Sequence, residues 1–294
     1  MINASKVSTP DQPAHHKRPA WWQNLLRSPS GLTGLIIIML ITVSALLAPW
    51  LAPHDPIALS PPARLQGPSA THPLGTDQFG RDTLSRIIYG GRISLVVALS
   101  SISIAALVGG SLGLLSGYYR GWVDALTMRF TDILLSFPAI LLAIALLAFF
   151  GGGLLNLVLA IGIIYTGPFV RVARAAVMSV RQELYVESNR ALGASDGRVL
   201  LLAILPNAAA PLLIEITLRL AYAILAEASL SFLGLGTQPP APSWGQMIAD
   251  NRRFLALNAW ASVAPGLIIM ITVLGFNLLG DGLRDVLDPR LERR

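Results

Sequence analysis

Long apolar runs, separated by short polar or glycine-broken stretches, fill this chain from residue 31 onwards. A helix that crosses a bilayer needs roughly 20 such residues. Gly31–Leu51 and Ile93–Tyr119 carry no charge and are long enough. Ile133–Phe150 follows, with a helix that can extend backwards through Asp132 and Arg129, and with Pro138 placed to kink it. Leu154–Val170 ends at Arg171, and Gly151–Gly153 makes a tight hairpin before it. Ala208–Leu235 is a fifth run, interrupted by Glu215, Arg219 and Glu227, and Ala261–Gly280 is the sixth. The pattern predicts an all-α integral membrane protein with six transmembrane helices. It divides into a tail with an interfacial segment (1–30), a first span (31–51), a loop (52–92), a five-helix core (93–280) containing a polar segment at 171–207, and a second tail (281–294).

Composition agrees with lipid as the main solvent. Only 13% of the 294 residues are charged and 53% are hydrophobic, with a mean hydropathy of +0.61, whereas soluble domains are about one quarter charged. The absence of cysteine excludes disulfides, thiolate nucleophiles and cysteine-ligated metals. The net charge of +6 comes from arginines at the ends of apolar runs rather than from one basic stripe, so nucleic acid is not the expected partner.

Where those cations fall sets orientation. With the N-terminus inside, the inner segments hold 15 Lys and Arg residues and the outer segments 6. Both termini and residues 171–207 are therefore expected in the cytoplasm. A cleaved signal peptide is the competing reading of the first run. Its 21 apolar residues exceed the roughly 7–15 of a signal h-region, which favours a retained helix. Trp21 and Trp22 fit an interfacial anchor, and residues 1–20 read as a disordered tail.

No nucleotide-hydrolysing loop is legible. The two lysines, Lys6 and Lys17, lie in the tail without the glycines of a phosphate cradle. His15, His16, His54 and His72 show no metal-ligand spacing on a helix. An intramembrane enzyme lacks a recognisable nucleophile and base. A secondary transporter or channel remains conceivable, although the inverted repeats frequent in that class are not found.

The segment "ESNRALGASDGRVLLLAILPN", 187–207, is polar and glycine-broken between apolar runs. Leu184–Leu192 is good helical sequence, and Gly193 can end it in a left-handed cap. Ser195 or Asp196 can cap a second helix through Leu205, which Pro206 then limits. The residues alone leave two readings open: a lever that inserts into a partner, or an ordinary connecting loop.

The stretch resembles the signature loop of binding-protein-dependent ABC importer permeases, E-A-A-x-x-x-G-x9-I-x-L-P. Glu187, Gly193, Leu205 and Pro206 fall at its spacing, while Ser188, Asn189 and Ala203 depart from it. "RALGASD" and "ILPN" are similar to the dipeptide/oligopeptide/nickel subfamily, as are "HPLGTDQFGRD" (72–82), "ASLSFLGLGTQPPAPSWGQMI" (228–248) and "FNLLGDGLRDVLDPR" (276–290). The resemblance implies a type I importer permease in the bacterial inner membrane, paired with a homologous permease. It further implies two cytoplasmic ATPase subunits that hydrolyse ATP, an extracytoplasmic solute-binding protein, and no cofactor, metal or ATPase site on this chain. Glu187, Arg190, Ala191, Leu192, Gly193, Asp196, Leu205 and Pro206 are the ATPase-coupling residues it implies.

Three further groups are candidates. Glu215, Arg219 and Glu227 lie at about 0°, 40° and 120° around one helix, so they share a broad face that could line or gate a pathway. Glu215 and Arg219 can also pair at i, i+4. Arg129 and Asp132, one turn apart, are expected to form a local ion pair, with an inner gate as the alternative. Asp77, Gly80, Arg81 and Asp82 are expected to build a turn that could touch the binding protein. One histidine, His72, beside two aspartates is thin support for a metal there. Trp244 is expected on a short interfacial helix over the outer mouth.

Overall fold

The computed structural model describes residues 21–287, and every regular element in them is helical apart from one isolated bridge between Thr76 and Asp82. Residues 1–20, with His15 and His16, and 288–294, the end of the tail expected at 281–294, lie outside the described residues, whereas 281–287 are helical. The chain opens with α1 (Trp21–Arg27), α2 (Pro29–Leu46) and the short α3 (Ala48–Leu51). Ser28 caps α2 through its hydroxyl, and Pro29 takes the first helical position, where its missing N–H costs nothing. A loop then leads to α4 (Thr83–Tyr119), α5 (Gly121–Leu135), α6 (Ala139–Phe150) and α7 (Leu154–Val180). The polar segment carries α8 (Leu184–Ala191) and α9 (Asp196–Arg198), and α10 (Leu205–Phe232), α11 (Trp244–Asn251) and α12 (Trp260–Leu287) complete the chain.

Among the described residues, five helical stretches are long and apolar enough to cross a membrane, or six if the bent pair α5–α6 counts as one span. That pair corrects one expectation. Pro138 does not kink a continuing helix: the chain breaks there, and α5 and α6 meet at 89°. Phe137, preceding a proline, is pushed out of helical geometry, and Pro138 itself is extended at ψ 127 before α6 begins.

Other boundaries also differ from the hydropathy reading. Helix α4 begins at Thr83, ten residues before the apolar run, because Asp82 caps it and its first turns are packed. Helix α7 runs past Arg171 to Val180, since Ala173 and Val177 remain buried against α4. The sixth helix passes Gly280 to reach Leu287. Pro206 does not limit the second arm of the polar segment. Residues 196–232 form one helical run in which a π stretch, Val199–Ile204, widens the turn just before α10. Pro206 then falls in the first turn of α10, where a proline is tolerated.

The core sits where α4, α7 and α10 meet, around Ile102, Leu157, Ile161, Phe169, Ile224 and Leu230. Gly109, Gly113 and Gly117 recur every four residues along α4 and face α7; a Cβ on any of them would strike an α7 backbone carbonyl. Small residues at this spacing let two membrane helices approach closely, so that backbone packing replaces the missing hydrophobic drive. Helix α12 closes against α2 in the same way through Gly34, whose absent Cβ faces the Leu279 backbone.

Candidate functional site

The polar segment forms an elbow. Helix α8 ends at Ala191, and Gly193 two residues later adopts φ +79. Gly193 N–H donates to the Arg190 carbonyl at 2.9 Å and Ala194 N–H to the Asn189 carbonyl at 3.0 Å. Those two bonds satisfy the last carbonyls of α8 with a left-handed glycine cap. Asp196 then begins the second arm, following the extended Ser195.

One side of the elbow is anchored and the other is bare. Val186, Val199, Ile204 and Ala208 pack with Tyr118 and Val177 in a small core at the ends of α4 and α7. The Tyr118 hydroxyl donates to Asp196 Oδ1 at 2.6 Å, and the Arg190 guanidinium lies 4.9 Å above the Tyr118 ring. Glu187, Arg190, Ala191, Gly193, Asp196 and Pro206 are exposed, and Leu205 is half-buried. Leu192 is 87% exposed and Leu184 79%. These two leucines stand bare on a helix whose other exposed residues are mostly polar.

A clamp that sequence reading missed holds the base of this unit. Arg174 of α7 grips Asp124 of α5 with two bonds, Nε–Oδ1 at 2.5 Å and Nη2–Oδ2 at 2.7 Å. Ser116 of α4 donates to the same carboxylate. Paired planar geometry of this kind fixes orientation as well as energy.

Several of the other candidates differ from expectation. Asp132 does not pair with Arg129; its partner is Arg171 of α7, at 2.8 Å, with both side chains more than half exposed. Arg129 is exposed and makes no ion pair among the described residues. The reason is geometric: α7 extends alongside α5 and offers a cation closer than the helix's own. The α10 charges divide. Arg219 pairs with Glu215 at 2.6 Å, and its guanidinium lies 5.7 Å from the rings of Tyr165 and Tyr222. Glu227 is remote from them and fully enclosed, accepting from Ser94 of α4 at 2.9 Å and Ser231 at 2.7 Å.

The 52–82 loop folds on its own carboxylates. Asp77 accepts from the Phe79 and Arg81 amides and from Arg81 Nε at 2.6 Å, with Arg86 Nε 3.5 Å away. Asp82 caps α4 through Ser85, and Gly80 turns tightly against the Ser60 backbone. Asp77, Arg81 and Asp82 are buried, so little of this charge is offered to a partner. Trp244 is also buried rather than interfacial. Its indole N–H donates to the Ile87 carbonyl at 2.9 Å, and its ring lies against Gly90 and Gly91 of α4.

Residues 109–293 match the family described as the binding-protein-dependent transport system inner membrane component. Residues 20–68 match the N-terminal transmembrane domain of oligopeptide transport permease C. This chain belongs to that permease family. A di/tripeptide transport system permease of Pseudomonas aeruginosa is 45% identical, with 92% of each chain covered. A glutathione transport system permease of Pectobacterium atrosepticum is 42% identical, covering 92% of this permease and 91% of its own length. Among solved structures, the inward-facing MetNI methionine ABC transporter matches at TM-score 0.58 and 20% identity, covering 68% of this permease and 96% of that chain. That likeness concerns the fold, a type I importer permease. The protein is thus a multi-pass membrane subunit of an ABC importer.

Proposed function

We propose that this permease forms one half of a translocation pathway for short peptides or related small solutes across the bacterial inner membrane. A homologous permease supplies the other half. The relatives that transport dipeptides, tripeptides and glutathione support the substrate class. Two cytoplasmic ATPase subunits hydrolyse the ATP, an extracytoplasmic solute-binding protein delivers the cargo, and this chain contributes neither an ATPase site nor a bound cofactor.

The observation that carries the reading is the two-sided elbow. Its inner side is locked to α4 and α7 through Tyr118, Val177 and Val186, while Leu184 and Leu192 stand bare. A partner that grips the bare side moves α4 and α10 as one body, because the π stretch and α10 continue the second arm without a break. Both termini and the elbow face the cytoplasm in this scheme, with Glu187 and Arg190 flanking the docked leucine. Glu215 and Arg219 are the pathway candidates that fit best, since they are only partly buried.

The experiment is Leu192→Asp. Leu192 is exposed, so aspartate there buries no charge and its cost at the end of α8 is small, and the variant should reach the membrane normally. The ATPase subunits should no longer co-purify with it, and uptake should be lost. Undiminished co-purification and uptake would refute the coupling role of the elbow.

A further inference from the structure

We propose that His54, His72 and Asp82 form a binding site for a divalent transition-metal cation of the zinc class, which staples the 52–82 loop to the start of α4. Among the described residues, these are the only three His, Cys, Asp or Glu side chains whose ligand atoms converge, all within 4.8 Å of one another. They come from separate parts of the loop. His54 lies three residues past the end of α3, His72 lies in mid-loop, and Asp82 is the cap of α4.

The site is built around a fixed carboxylate. The Asp82 side chain is fully buried. Its Oδ2 accepts from the Ser85 amide and hydroxyl, each at 2.7 Å, which leaves Oδ1 directed at the two imidazoles. The Ser85 hydroxyl also receives the His54 amide at 3.0 Å, so one serine positions both the anchor and a histidine backbone. His72 Nδ1 is 2.9 Å from Asp82 Oδ1, and His54 Nδ1 is 3.9 Å from it. The two rings sit 4.7 Å apart at 32°.

Those separations suit a small tetrahedral ion. Bonds of about 2.0–2.1 Å place neighbouring ligands about 3.3 Å apart, and the two observed distances lie about half an ångström on either side. Exposure rises from the anchor outwards: 0% for Asp82, 16% for His72 and 43% for His54. The outermost ring can therefore swing to close the set, and a fourth position remains open to water. Two imidazoles and one carboxylate select zinc, nickel or copper over magnesium or calcium, which prefer all-oxygen shells. The gain is mechanical. A bound cation closes a loop of about 28 residues at its two ends and its middle, where closure entropy is otherwise lost.

The test uses the full-length permease with an affinity tag that contains no histidine, and with His15→Ala and His16→Ala to remove the tail imidazoles. Zinc chloride is titrated against the purified protein in competition with a chromophoric chelator, and melting is followed with zinc and with EDTA. One zinc per chain should bind, with a rise in melting temperature. His72→Gln should keep a hydrogen bond to Asp82 and the EDTA melting temperature, yet bind zinc at least tenfold more weakly; His54→Ala should also weaken it. X-ray absorption of the loaded protein should show two imidazole nitrogens and light oxygen ligands. Absence of one-to-one binding in the parent overturns the proposal. So does a His54→Ala/His72→Gln variant that binds zinc, and shifts its melting, as the parent does.

Discussion

The Tyr118 hydroxyl donates a 2.6 Å hydrogen bond to Asp196 Oδ1, joining the last turn of α4 to the second arm of the elbow 78 residues later. Arg190 of α8 covers the same ring, so one side chain holds both arms. Tyr118→Phe removes the hydroxyl and keeps the ring. A bond of this type contributes about 1 kcal/mol, or about fivefold in the balance between latched and released elbow. The variant should still bring down the ATPase subunits, because the bare leucines are untouched. It should move fewer solute molecules per ATP hydrolysed, measured in proteoliposomes. An unchanged ratio would show that the latch plays no part in transmission.

Glu227 makes a different kind of prediction. It is fully buried and held by Ser94 and Ser231, bridging α10 to α4 inside the bundle. Glu227→Leu strands two buried hydroxyl groups, and each unsatisfied group costs about 1–3 kcal/mol. The melting temperature in detergent should fall clearly. Glu227→Gln keeps an acceptor oxygen and should lie near the parent. Equal melting of the leucine variant and the parent would remove the structural role assigned to this carboxyl.

The glycine stripe of α4 can be tested with neighbouring residues. A Cβ at Gly113 would press on the Val170 carbonyl, the Ala173 side chain and the Arg174 amide, whereas nothing lies within 4 Å of one at Gly110. Gly113→Ala should destabilise by about 1–3 kcal/mol through overpacking. Gly110→Ala should stabilise slightly, by about 0.5–1 kcal/mol, because alanine loses less backbone entropy in a helix. Melting curves of the two variants should therefore shift in opposite directions. A shift of the same sign and size would mean that α4 and α7 are not in backbone contact there.

The spans were legible because lipid demands long apolar runs, and the cap at Gly193 because a left-handed turn favours glycine. What escaped detection depends on distant partners. Helix α7 continues beyond Arg171 because Ala173 and Val177 pack on α4 and Arg174 finds Asp124, 50 residues earlier in the chain. Asp132 turns to Arg171 for the same reason, although i, i+3 spacing pointed to Arg129. Trp244 carries an interfacial signal in its local sequence, yet Gly90 and Gly91 open a slot for it in α4. Pro206 looks like a stop signal until the π stretch before it is seen. Local pattern reports the solvent a segment meets; it does not report which side chain from elsewhere will arrive.

Sidedness gives the last prediction, and the chain is suited to it because it contains no cysteine. Leu192→Cys on the elbow and Ser69→Cys on the 52–82 loop each introduce one exposed thiol. In intact spheroplasts a membrane-impermeant maleimide should label Cys at position 69 and leave position 192 unmodified. Inside-out vesicles should reverse the pattern. This follows from the excess of Arg and Lys on the elbow side, since cationic segments are retained in the cytoplasm. Labelling of position 192 in intact spheroplasts would place the elbow outside, beyond reach of any ATP-hydrolysing partner, and would leave its bare leucines without the occupant proposed for them.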